Sequence, residues 1–545
     1  MKILIIPSAK LISEDLQSQF GKIPMVLMPI NGRRILEIIY ENYNNNVDEI
    51  IIVSKERSEK IIQIVKSNMM NVTLLKLDEI KDLGHSINTA VKYINDKYKD
   101  EKIEKVIINL ADTIVEDLNI DSLSDTLVYS KTNDCKRWTT FEFEGNKILN
   151  IYDKKDDIES IEYNSFVGIY SFSNFDILTQ CLNNSEETTM MDSFYKAILD
   201  YNKQIKFAFI NTDKWFDIGH LDKYLKSKKD VKTRYFNTIN IDKKRGILTK
   251  KSTEKQKFYN EILWYLRLPN KIQYIAPRVL NYSLEYENLY VSMEYYGYTT
   301  LNELFVFGDL NEDSWENILQ SIFCVVGDMR EYSLNLKNEE VVSSINEMYL
   351  NKTVDRLEML RNDVNFKEFF NNNILINNKE YKSLSYYLNN LKNLLNEYNI
   401  YDINCFNVIH GDLCFSNILY DMQTGIVRLI DPRGTFGSYD IYGDTRYDIA
   451  KLSHSINGKY DYIINDLFDI EINENSINYR IFTNENMTNL QTLFENFITK
   501  YNFDSNQIKL IEALLFLSMI PLHKDYPRRQ YAMLATGVKL IEELF

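Results

Sequence analysis

The sequence predicts two domains, an α/β domain followed by an α+β domain with a large helical lobe. The chain has 545 residues, more than one hydrophobic core usually organises. Up to about residue 235, short β-branched runs alternate with amphipathic helical stretches, which is typical of a parallel sheet covered by helices. Helical patterns dominate after Gly308. We therefore expect domains 1–235 and 236–545, the second divided into a small lobe (about 240–305) and a helical lobe (about 306–545).

Composition and charge exclude several classes of protein. Hydrophobic residues make up 45% and charged residues 26% of the chain, as in ordinary globular proteins. The net charge of −15 opposes nonspecific attraction to nucleic acid or to an anionic membrane. No apolar run is long enough for a membrane span, so we expect no nucleic-acid partner and no direct membrane insertion. The five cysteines lack metal-ligand spacing, which indicates reduced thiols and a cytoplasmic location.

The first domain has β-branched runs and helical periodicities in alternation. The predicted strands are Lys2–Ile6, Glu49–Val53, Val72–Lys76, Val106–Asn109, Phe166–Phe172 and Ile205–Ile210. The predicted helices between them are Ile35–Tyr43, Lys55–Asn68 and Ser86–Tyr98.

The second domain is predicted to begin after a polar stretch, residues 223–245, that has little apolar periodicity. A strand, a helix and a strand then follow, predicted at Gly246–Lys250, Lys255–Arg267 and Leu289–Glu294. Within the helical lobe, one segment has strong β and turn character, Val408–Asp431. Two apolar strands flank the polar middle of this segment, so we expect a hairpin-like loop there.

That loop contains the strongest functional signal in the chain. Phosphoryl transfer to a hydroxyl needs a carboxylate to orient the attacking oxygen and accept its proton, and further oxygen ligands for Mg²⁺. Asp412, Asn417 and Asp431 supply this set. The alternative is that His410 and Asp412 only cap a turn and that Asp431 only begins a loop.

The motif His410-Gly411-Asp412, with Asn417 and then Ile430-Asp431, resembles that of the aminoglycoside phosphotransferase and choline kinase superfamily. The resemblance implies a protein-kinase-like fold with ATP as phosphate donor. It also implies that Asp412 is the catalytic base, that Asn417 and Asp431 are magnesium ligands, and that His410 organises the loop.

Such a kinase needs a cation on the nucleotide phosphates, held by a helix glutamate. Lys250 lies on a predicted strand and Glu261 on the next predicted helix, so we expect an ion pair. Lys251 could take the role of Lys250, or either lysine could be a solvated strand end. Glu294 and Tyr295 resemble the hinge that faces adenine.

Two further features complete the second domain. The segment 442–451 resembles a superfamily segment in which an aspartate precedes a helix, and we expect Asp448 to be the helix N-cap. The helical insert at about 311–404 is expected to form the wall on the acceptor side of the site.

The first domain carries a second group of motifs, after the first strand, at a helix start and after two later strands. They are Pro7-Ser8-Ala9-Lys10, the block 23–34 with Met25, Gly84-His85-Ser86, Asp112 in Leu110-Ala111-Asp112, Phe166-Val167-Gly168-Ile169-Tyr170, and Asp217 in Trp215-Phe216-Asp217. This group resembles the Rossmann-like sugar-phosphate nucleotidyltransferases, which join a sugar phosphate to a nucleotide.

That resemblance implies a role for each motif. Residues 7–10 would approach the triphosphate, residues 84–86 would contact the base, strand residues 166–170 would line the sugar pocket, and Asp112 and Asp217 would hold Mg²⁺. Met25 occupies the position of the family's lysine, so Lys10 or Lys22 would have to compensate. The alternative is a scaffold domain in which both carboxylates cap turns.

Together the two resemblances predict a bifunctional enzyme of bacterial capsule or other surface polysaccharide synthesis. The kinase would phosphorylate a small hydroxylated precursor, such as a sugar, polyol, hydroxy acid or amino alcohol. The first domain would couple that phosphate to CTP or UTP. The sequence leaves open a kinase with a catalytically degenerate first domain, a scaffold with no activity, and a homo-oligomer.

Overall fold

The computed structural model divides the chain into two compact units, Met1–Thr233 and Arg234–Phe545. The predicted boundary at 235/236 lies outside the described residues, as does Asn404 at the end of the predicted insert. The structure describes residues 1–30, 32–68, 70–154, 162–185, 191–228, 237–242, 244–403, 405–484 and 486–545.

The first unit alternates strands and helices along most of its length. Its described strands are β1 Lys2–Ser8, β2 Pro29–Ile30, β3 Arg33–Arg34, β4 Glu49–Ser54, β5 Thr73–Lys76, β6 Lys105–Asn109, β7 Thr113–Val115, β8 Thr126–Thr132, β9 Thr140–Glu144, β10 Lys147–Tyr152, β11 Tyr163–Phe172, β12 Ala208–Asn211 and β13 Trp215–Asp217. Its described helices are α1 Glu14–Phe20, α2 Ile35–Tyr43, α3 Ser58–Ser67, α4 Leu83–Lys97, α5 Phe175–Asn184, α6 Ser193–Gln204 and α7 Leu221–Lys228.

The main sheet of this unit is mixed rather than parallel throughout. Strands β6, β1, β4 and β5 pair in parallel, as predicted, because helical crossovers join them. Strand β11 pairs antiparallel with β6, β8 and β9, and β9 pairs antiparallel with β10. The expectation of a parallel sheet is therefore wrong for the second half of the unit. Short connections such as the turn at Gly145, whose φ is 58°, permit only antiparallel pairing of the two strands that they join, whereas β12 pairs with β8 in parallel.

The core of the first unit places the carboxyl ends of the parallel strands at one edge. Strands β1 and β4 are buried on both faces, which explains their continuous apolar sequences. Strand β1 ends at Ser8, and β6 ends shortly before Asp112. Ligands of open α/β sheets bind in the crevice outside these ends, so both predicted motifs lie at that edge.

The second unit begins with a small sheet and continues with helices and short strands. Its described strands are β14 Asn237–Asp242, β15 Ile247–Ser252, β16 Val279–Ser283, β17 Tyr290–Glu294, β18 Thr299–Thr300, β19 Ser333–Asn335, β20 Ile374–Ile376, β21 Lys379–Tyr381, β22 Cys405–Val408, β23 Ile418–Tyr420, β24 Val427–Leu429, β25 Tyr442–Gly443, β26 Phe468–Asn473 and β27 Ser476–Ile481. Its described helices are α8 Lys255–Arg267, α9 Leu301–Phe307, α10 Glu312–Arg330, α11 Asn338–Ile345, α12 Lys352–Glu358, α13 Lys367–Asn371, α14 Leu384–Glu397, α15 Thr445–Ile456, α16 Tyr460–Ile464, α17 Met487–Lys500, α18 Ser505–Met519 and α19 Pro527–Glu542.

An antiparallel sheet in the order β14-β15-β17-β16 begins this unit, and α8 follows β15. The polar stretch 223–245, whose sequence has little apolar periodicity, contains most of α7 and all of β14. The helical lobe holds more than one β segment, because β20, β21, β26 and β27 form a separate small sheet. The expectation of a single β segment there is wrong, since strands of three to six residues are too short for a clear sequence period.

The segment Val408–Asp431 is not one hairpin. Strand β22 pairs with β19 and β25, whereas β23 pairs with β18 and β24. The polar loop between β22 and β23 thus passes from one sheet to another. Gly411, with a φ of 76°, takes a left-handed conformation in that loop, which glycine adopts without strain. The hairpin in this region is β23–β24.

Among the residues that the structure describes, no helix combines the length and the apolar character needed to cross a bilayer.

Candidate active sites

In the first unit, a short ribbon brings Asp112 and Asp217 together. Strand β13 pairs antiparallel with β7, so that Asp217 lies opposite Thr113. The amide of Ile218 donates to the carbonyl of Asp112 at 3.0 Å. A Cβ atom added to Gly219 would lie 3.2 Å from Asp112 Oδ2 and 3.3 Å from Asp217 Oδ1. Both carboxylates therefore converge on the small space beside Gly219.

The charge of this pair suits a divalent cation. Burial, and then the charge of Asp217, raise the pKa of Asp112 to about 6. Asp217 is held in place because its Oδ2 accepts from Trp138 Nε1 and its Oδ1 from Gly219 N, both at 2.9 Å. No group of three acidic, His or Cys ligands is found within the described ranges. Two carboxylates nevertheless fit Mg²⁺, which commonly takes its other ligands from phosphates and water.

A cavity of about 570 Å³ lies in front of the two carboxylates. Its lining includes predicted residues from five separate segments of the chain: Pro7, Ser8, Ala9, Lys10, Ser86, Asp112, Phe166, Tyr170 and Asp217. Met25 also lines it, whereas Lys22 is exposed and is not among its lining residues. Of the two lysines considered in place of Met25, the structure thus brings Lys10 to the cavity.

Sequence reasoning missed other polar and aromatic residues of this cavity. They are Arg137, Trp138, Lys154, Asp192 and Tyr195. Lys154 lies close enough to Asp112 for its charge to favour the ionised carboxylate. Arg137, Trp138 and Lys154 flank strands β9 and β10, which the sequence did not reveal, and Asp192 and Tyr195 lie at the start of α6, which was not predicted either.

The start of α4 is closed by an exchange of caps with α6. Asp82 accepts from the amide of His85 at 2.8 Å and from that of Ser193 at 2.9 Å. Asp192 in turn accepts from the amides of Leu83 and Gly84 at 2.9 and 3.1 Å. Amides at a helix start often bind anions, but these ones bind Asp192.

Gly84 is required by the contact between the two helices. A Cβ atom there would lie 2.1 Å from Ser193 Oγ. Of the three residues predicted to contact a base, Gly84, His85 and Ser86, it is Ser86 that lines the cavity.

In the second unit, Lys250 joins two carboxylates from distant segments. Its Nζ lies 2.8 and 2.9 Å from the two carboxylate oxygens of Glu261 and 2.7 Å from Asp431 Oδ1. Lys250 and Glu261 are 5% and 7% exposed, whereas the Asp431 side chain is 50% exposed. Lys251 instead faces Asn288 at 3.4 Å, so geometry assigns the ion pair to Lys250.

The electrostatics of this triad combine burial and pairing. Burial raises the pKa of Glu261 to about 7, although Lys250 opposes the shift. Burial would lower the pKa of Lys250, but the charges of Asp431 and Glu261 outweigh it and raise that pKa. Lys250 therefore stays charged beside an exposed carboxylate.

Asp412 is held by one cation and one amide. Lys451 Nζ lies 2.9 Å from its Oδ1, and Asn417 Nδ2 donates to its carbonyl at 2.9 Å and to Oδ2 at 3.1 Å. Burial would raise the pKa of Asp412, but Lys451 and then the other nearby cations lower it to about 2. The carboxylate is thus ionised, and its side chain is 40% exposed.

His410 connects the loop of Asp412 with the segment of Asp431. Its Nδ1 accepts from the amide of Asp412 at 3.3 Å, so its Nε2 carries the hydrogen and donates to the carbonyl of Ile430 at 2.9 Å. Burial lowers the pKa of His410, which favours this neutral form. The two ring nitrogens of His410 thus link the two segments.

Asp448 is not the helix N-cap that the sequence predicted. The cap of α15 is Asp444, whose side chain accepts from the amide of Arg446. Asp448 lies inside the helix and is fully buried. It accepts from the amides of His410 and Gly411 at 2.7 and 2.8 Å. Its role is to hold the backbone of the loop, a contact between distant segments that a local capping rule cannot reveal.

The predicted hinge lies at the end of β17. The amide of Glu294 donates to the carbonyl of Arg278 at 3.0 Å, and that of Tyr295 to Gly246 at 2.8 Å. The backbone amides of Glu294 and Tyr295, in the segment predicted to face adenine, therefore donate to carbonyls of the protein itself.

Comparison with known proteins gives relatives for the first unit. No protein-family model matches the chain. The chain is 30% identical over 208 residues to the bifunctional protein GlmU of Methanococcus maripaludis strain C7, a match covering 36% of this chain and 46% of the relative. It is 26% identical over 236 residues to GlmU of Methanocaldococcus jannaschii, covering 40% and 53%. The chain thus spans about half of the length of these curated relatives.

Two solved structures are also similar over this part. One is the CTP:phosphocholine cytidylyltransferase of Streptococcus pneumoniae, with 14% identity, coverage of 42% of this chain and 99% of that chain, and a TM-score of 0.34. The other is HddC of Yersinia pseudotuberculosis, with 20% identity, coverage of 43% and 100%, and a TM-score of 0.33. The sequence similarity to GlmU, over 36–40% of this chain, supports the predicted resemblance of the N-terminal unit to nucleotidyltransferases at the level of the domain.

Proposed function

We propose that the chain is a bifunctional enzyme. Its C-terminal unit phosphorylates a small hydroxylated precursor with ATP, and its N-terminal unit couples that phosphate to a nucleoside triphosphate, CTP or UTP. The product is a nucleotide-activated building block for surface polysaccharide. The observation that carries the proposal is the convergence of Asp112 and Asp217 in a cavity lined by residues 7–10.

In the N-terminal reaction, a phosphate oxygen of the acceptor attacks the α-phosphorus and pyrophosphate leaves. Asp112 and Asp217 would hold Mg²⁺, which, when bound, neutralises phosphate charge and aligns the two reactants. Lys10 and Lys154 add positive charge to the same cavity, as binding of a triphosphate requires. The similarity to GlmU supports a transferase of this class.

In the C-terminal reaction, the ionised Asp412 orients the acceptor hydroxyl and accepts its proton. Lys250 binds nucleotide phosphates, and Glu261 keeps its ammonium in place. Asn417 and Asp431 would hold Mg²⁺, which, when bound, neutralises charge on the phosphates. Asp431 offers an exposed carboxylate for this role. His410 and Asp448 position the loop and touch no reacting atom.

A second candidate is a kinase whose first unit only binds or scaffolds. Met25 in the cavity favours it, because a thioether cannot neutralise a phosphate. The capping of α4 by Asp192 also favours it, because the amides of this helix start are taken. In this case the first unit would bind a triphosphate weakly or not at all.

Two matched substitutions test the proposal on the full chain. Asp112→Asn should abolish pyrophosphate release and leave ADP formation unchanged, whereas Asp412→Asn should abolish ADP formation. Both products are measured with an acceptor panel of sugars, polyols, hydroxy acids and amino alcohols, and with each common triphosphate. If the unsubstituted chain forms ADP but releases no pyrophosphate with any triphosphate, this result would establish the second candidate.

A further inference from the structure

A group of cations surrounds the hydroxyl of Tyr447, beside Asp412. Lys352 Nζ donates to this hydroxyl at 3.1 Å, and Arg433 reaches it at 3.4 Å. Lys352 Nζ also lies 5.4 Å from the centroid of the Tyr447 ring. We call Lys352, Arg356, Arg433, Lys451 and Tyr447 the Tyr447 cluster. The donor-side residues Lys250 and Glu261 take no part in it.

The cluster adjoins the predicted catalytic base. Tyr447 and Lys451 are four residues apart on α15, so their side chains share one face of the helix. Lys451 binds Asp412, and the amide of Arg433 donates to the carbonyl of His410 at 3.0 Å. A molecule held by the cluster would therefore lie next to the Asp412 carboxylate.

The cluster is short of negative charge. Two carboxylates lie next to it: Asp412, which binds Lys451, and Asp448, which binds two loop amides. Arg356 donates to the carbonyl of Ser518 at 3.1 Å. Within the described residues, none of the three cations Lys352, Arg356 and Arg433 forms an ion pair with a carboxylate at 4.0 Å or less. Clustered cations in a partly buried place are costly unless an anion balances them.

Two shifted pKa values agree with this positive surplus. Burial and then the charges of Arg433 and Lys451 lower the pKa of Lys352 to about 8, against the opposing effect of Tyr447. Burial would raise the pKa of Tyr447, but Lys352, Arg433 and Lys451 lower it to about 7. The surrounding cations therefore stabilise the ionised form of the Tyr447 phenol.

An anion can reach the cluster from the side where the acceptor is expected. Lys352 begins α12, in the insert predicted to form the acceptor wall, and a π-helical segment, Asn346–Asn351, precedes it. Such π-helical turns are frequent at functional sites. Lys352 and Arg433 are partly exposed, as is Asp412.

We propose that the acceptor is anionic, with a carboxylate or phosphate bound by Lys352 and Arg433 and a hydroxyl beside Asp412. The substrate class is thus a hydroxy acid or a phosphorylated polyol or sugar rather than an amino alcohol or a neutral polyol. The inference rests on the proposed phosphotransferase function. The hydroxyl oxygen bonds to the γ-phosphorus, the bond from that phosphorus to the bridging oxygen breaks, ADP leaves, and the proton passes to Asp412.

The first test compares four related acceptors on the full chain with ATP: glycerate, glycerol 3-phosphate, glycerol and ethanolamine. We expect kcat/KM for one of the two anions to exceed that for glycerol and ethanolamine at least about tenfold, as the loss of a charge-assisted hydrogen bond implies. Preference for glycerol or ethanolamine would overturn the proposal.

Substitutions locate the effect in the cluster. Lys352→Met should raise the KM for the preferred anion about tenfold or more and change kcat and the KM for ATP much less, while Lys352→Arg should restore binding. Lys367→Met, at an exposed lysine of α13, is the matched control and should change neither constant. A rise in the KM for ATP instead would mean that the cluster binds the phosphate donor, and would overturn the proposal.

A binding measurement separates failure of this proposal from failure of the proposed function. Calorimetry of glycerate and of glycerol 3-phosphate uses the full chain with a non-hydrolysable ATP analogue and Mg²⁺. Binding that Lys352→Met weakens and Lys367→Met retains supports the anion site, even if no acceptor yields ADP and the phosphotransferase proposal falls. Equal binding of both anions by the unsubstituted chain and Lys352→Met would overturn the site itself.

Discussion

Replacement of Lys250 by methionine should destabilise the second unit strongly. The ammonium binds two carboxylates, and Glu261 is 7% exposed. Removal of one partner of a buried ion pair typically costs about 3–5 kcal/mol, because it leaves an uncompensated charge. A double substitution, Lys250→Met with Glu261→Met, replaces the pair by apolar side chains and should recover most of the stability.

The loss of folding stability caused by Lys250→Met should increase with pH. The pKa of Glu261 in the folded chain is already raised to about 7 from 4.5, and removal of Lys250 raises it further. Below about pH 7 the Glu261 carboxyl is protonated in the folded state of both parent and variant, so its contribution to the loss is small. Above pH 7 the loss should grow by about 1.4 kcal/mol per pH unit until pH passes the higher folded pKa of the variant, and then stay constant.

The assay is hydrogen exchange, followed by mass spectrometry, on peptides from α8 in the full chain. Activity gives a second measurement: both the single and the double variant should lose about a hundredfold or more in ADP formation, because neither can bind phosphate through Lys250. Lys251→Met, at the exposed neighbouring lysine, should change neither stability nor activity. A Lys250→Met chain as protected as the parent would show that the ion pair does not stabilise α8, and a double variant with full activity would show that Lys250 does not bind phosphate.

Three further predictions concern the two sites. The KM for an anionic acceptor should rise as pH increases through about 7 to 8, because Lys352 loses its proton and Tyr447 gains a negative charge there; initial rates between pH 6 and 9 would measure this, and a falling KM would contradict it. Gly219→Ala should reduce pyrophosphate release with little loss of ADP formation, because its Cβ would crowd both metal-facing carboxylates; unchanged pyrophosphate release would show that the carboxylates do not act at that point. Asp448→Asn should lower the free energy of unfolding by about 1.5–3 kcal/mol and lower kcat more than it changes the KM for ATP, because asparagine has only one, uncharged acceptor oxygen for the two loop amides. Urea unfolding and steady-state kinetics measure these effects. A stable, fully active variant would exclude the positioning role.

Local patterns predicted the elements and site residues that depend on neighbouring sequence. Helices α2 and α8 have the bounds that periodicity predicted, and the Lys250–Glu261 pair lies on adjacent elements, a strand and the helix that follows it. Asp112 is indicated by its resemblance to the nucleotidyltransferase motif, and it lies just after a buried strand, at the edge of the sheet where ligands of open α/β folds bind.

Features that depend on contacts between distant segments escaped prediction. The Tyr447 cluster joins α12, α15 and the segment after Asp431, and no spacing in the sequence relates these three. Asp448 satisfies amides 37 and 38 residues earlier in the chain. Strands β8, β9 and β10 of the first sheet were also missed, because strands with exposed polar positions lack the continuous apolar runs of buried parallel strands.

The proposed function requires that one chain first phosphorylates a precursor and then joins that same phosphate to a nucleotide. The decisive experiment incubates the full chain with γ-radiolabelled ATP, the preferred acceptor, and either unlabelled CTP or unlabelled UTP. We expect label in a nucleotide-linked product. Asp112→Asn should instead leave the label on the acceptor phosphate, and Asp412→Asn should leave it on ATP. Label that stays on ATP, or that reaches the acceptor and never the nucleotide product in the unsubstituted chain, would contradict the proposed function.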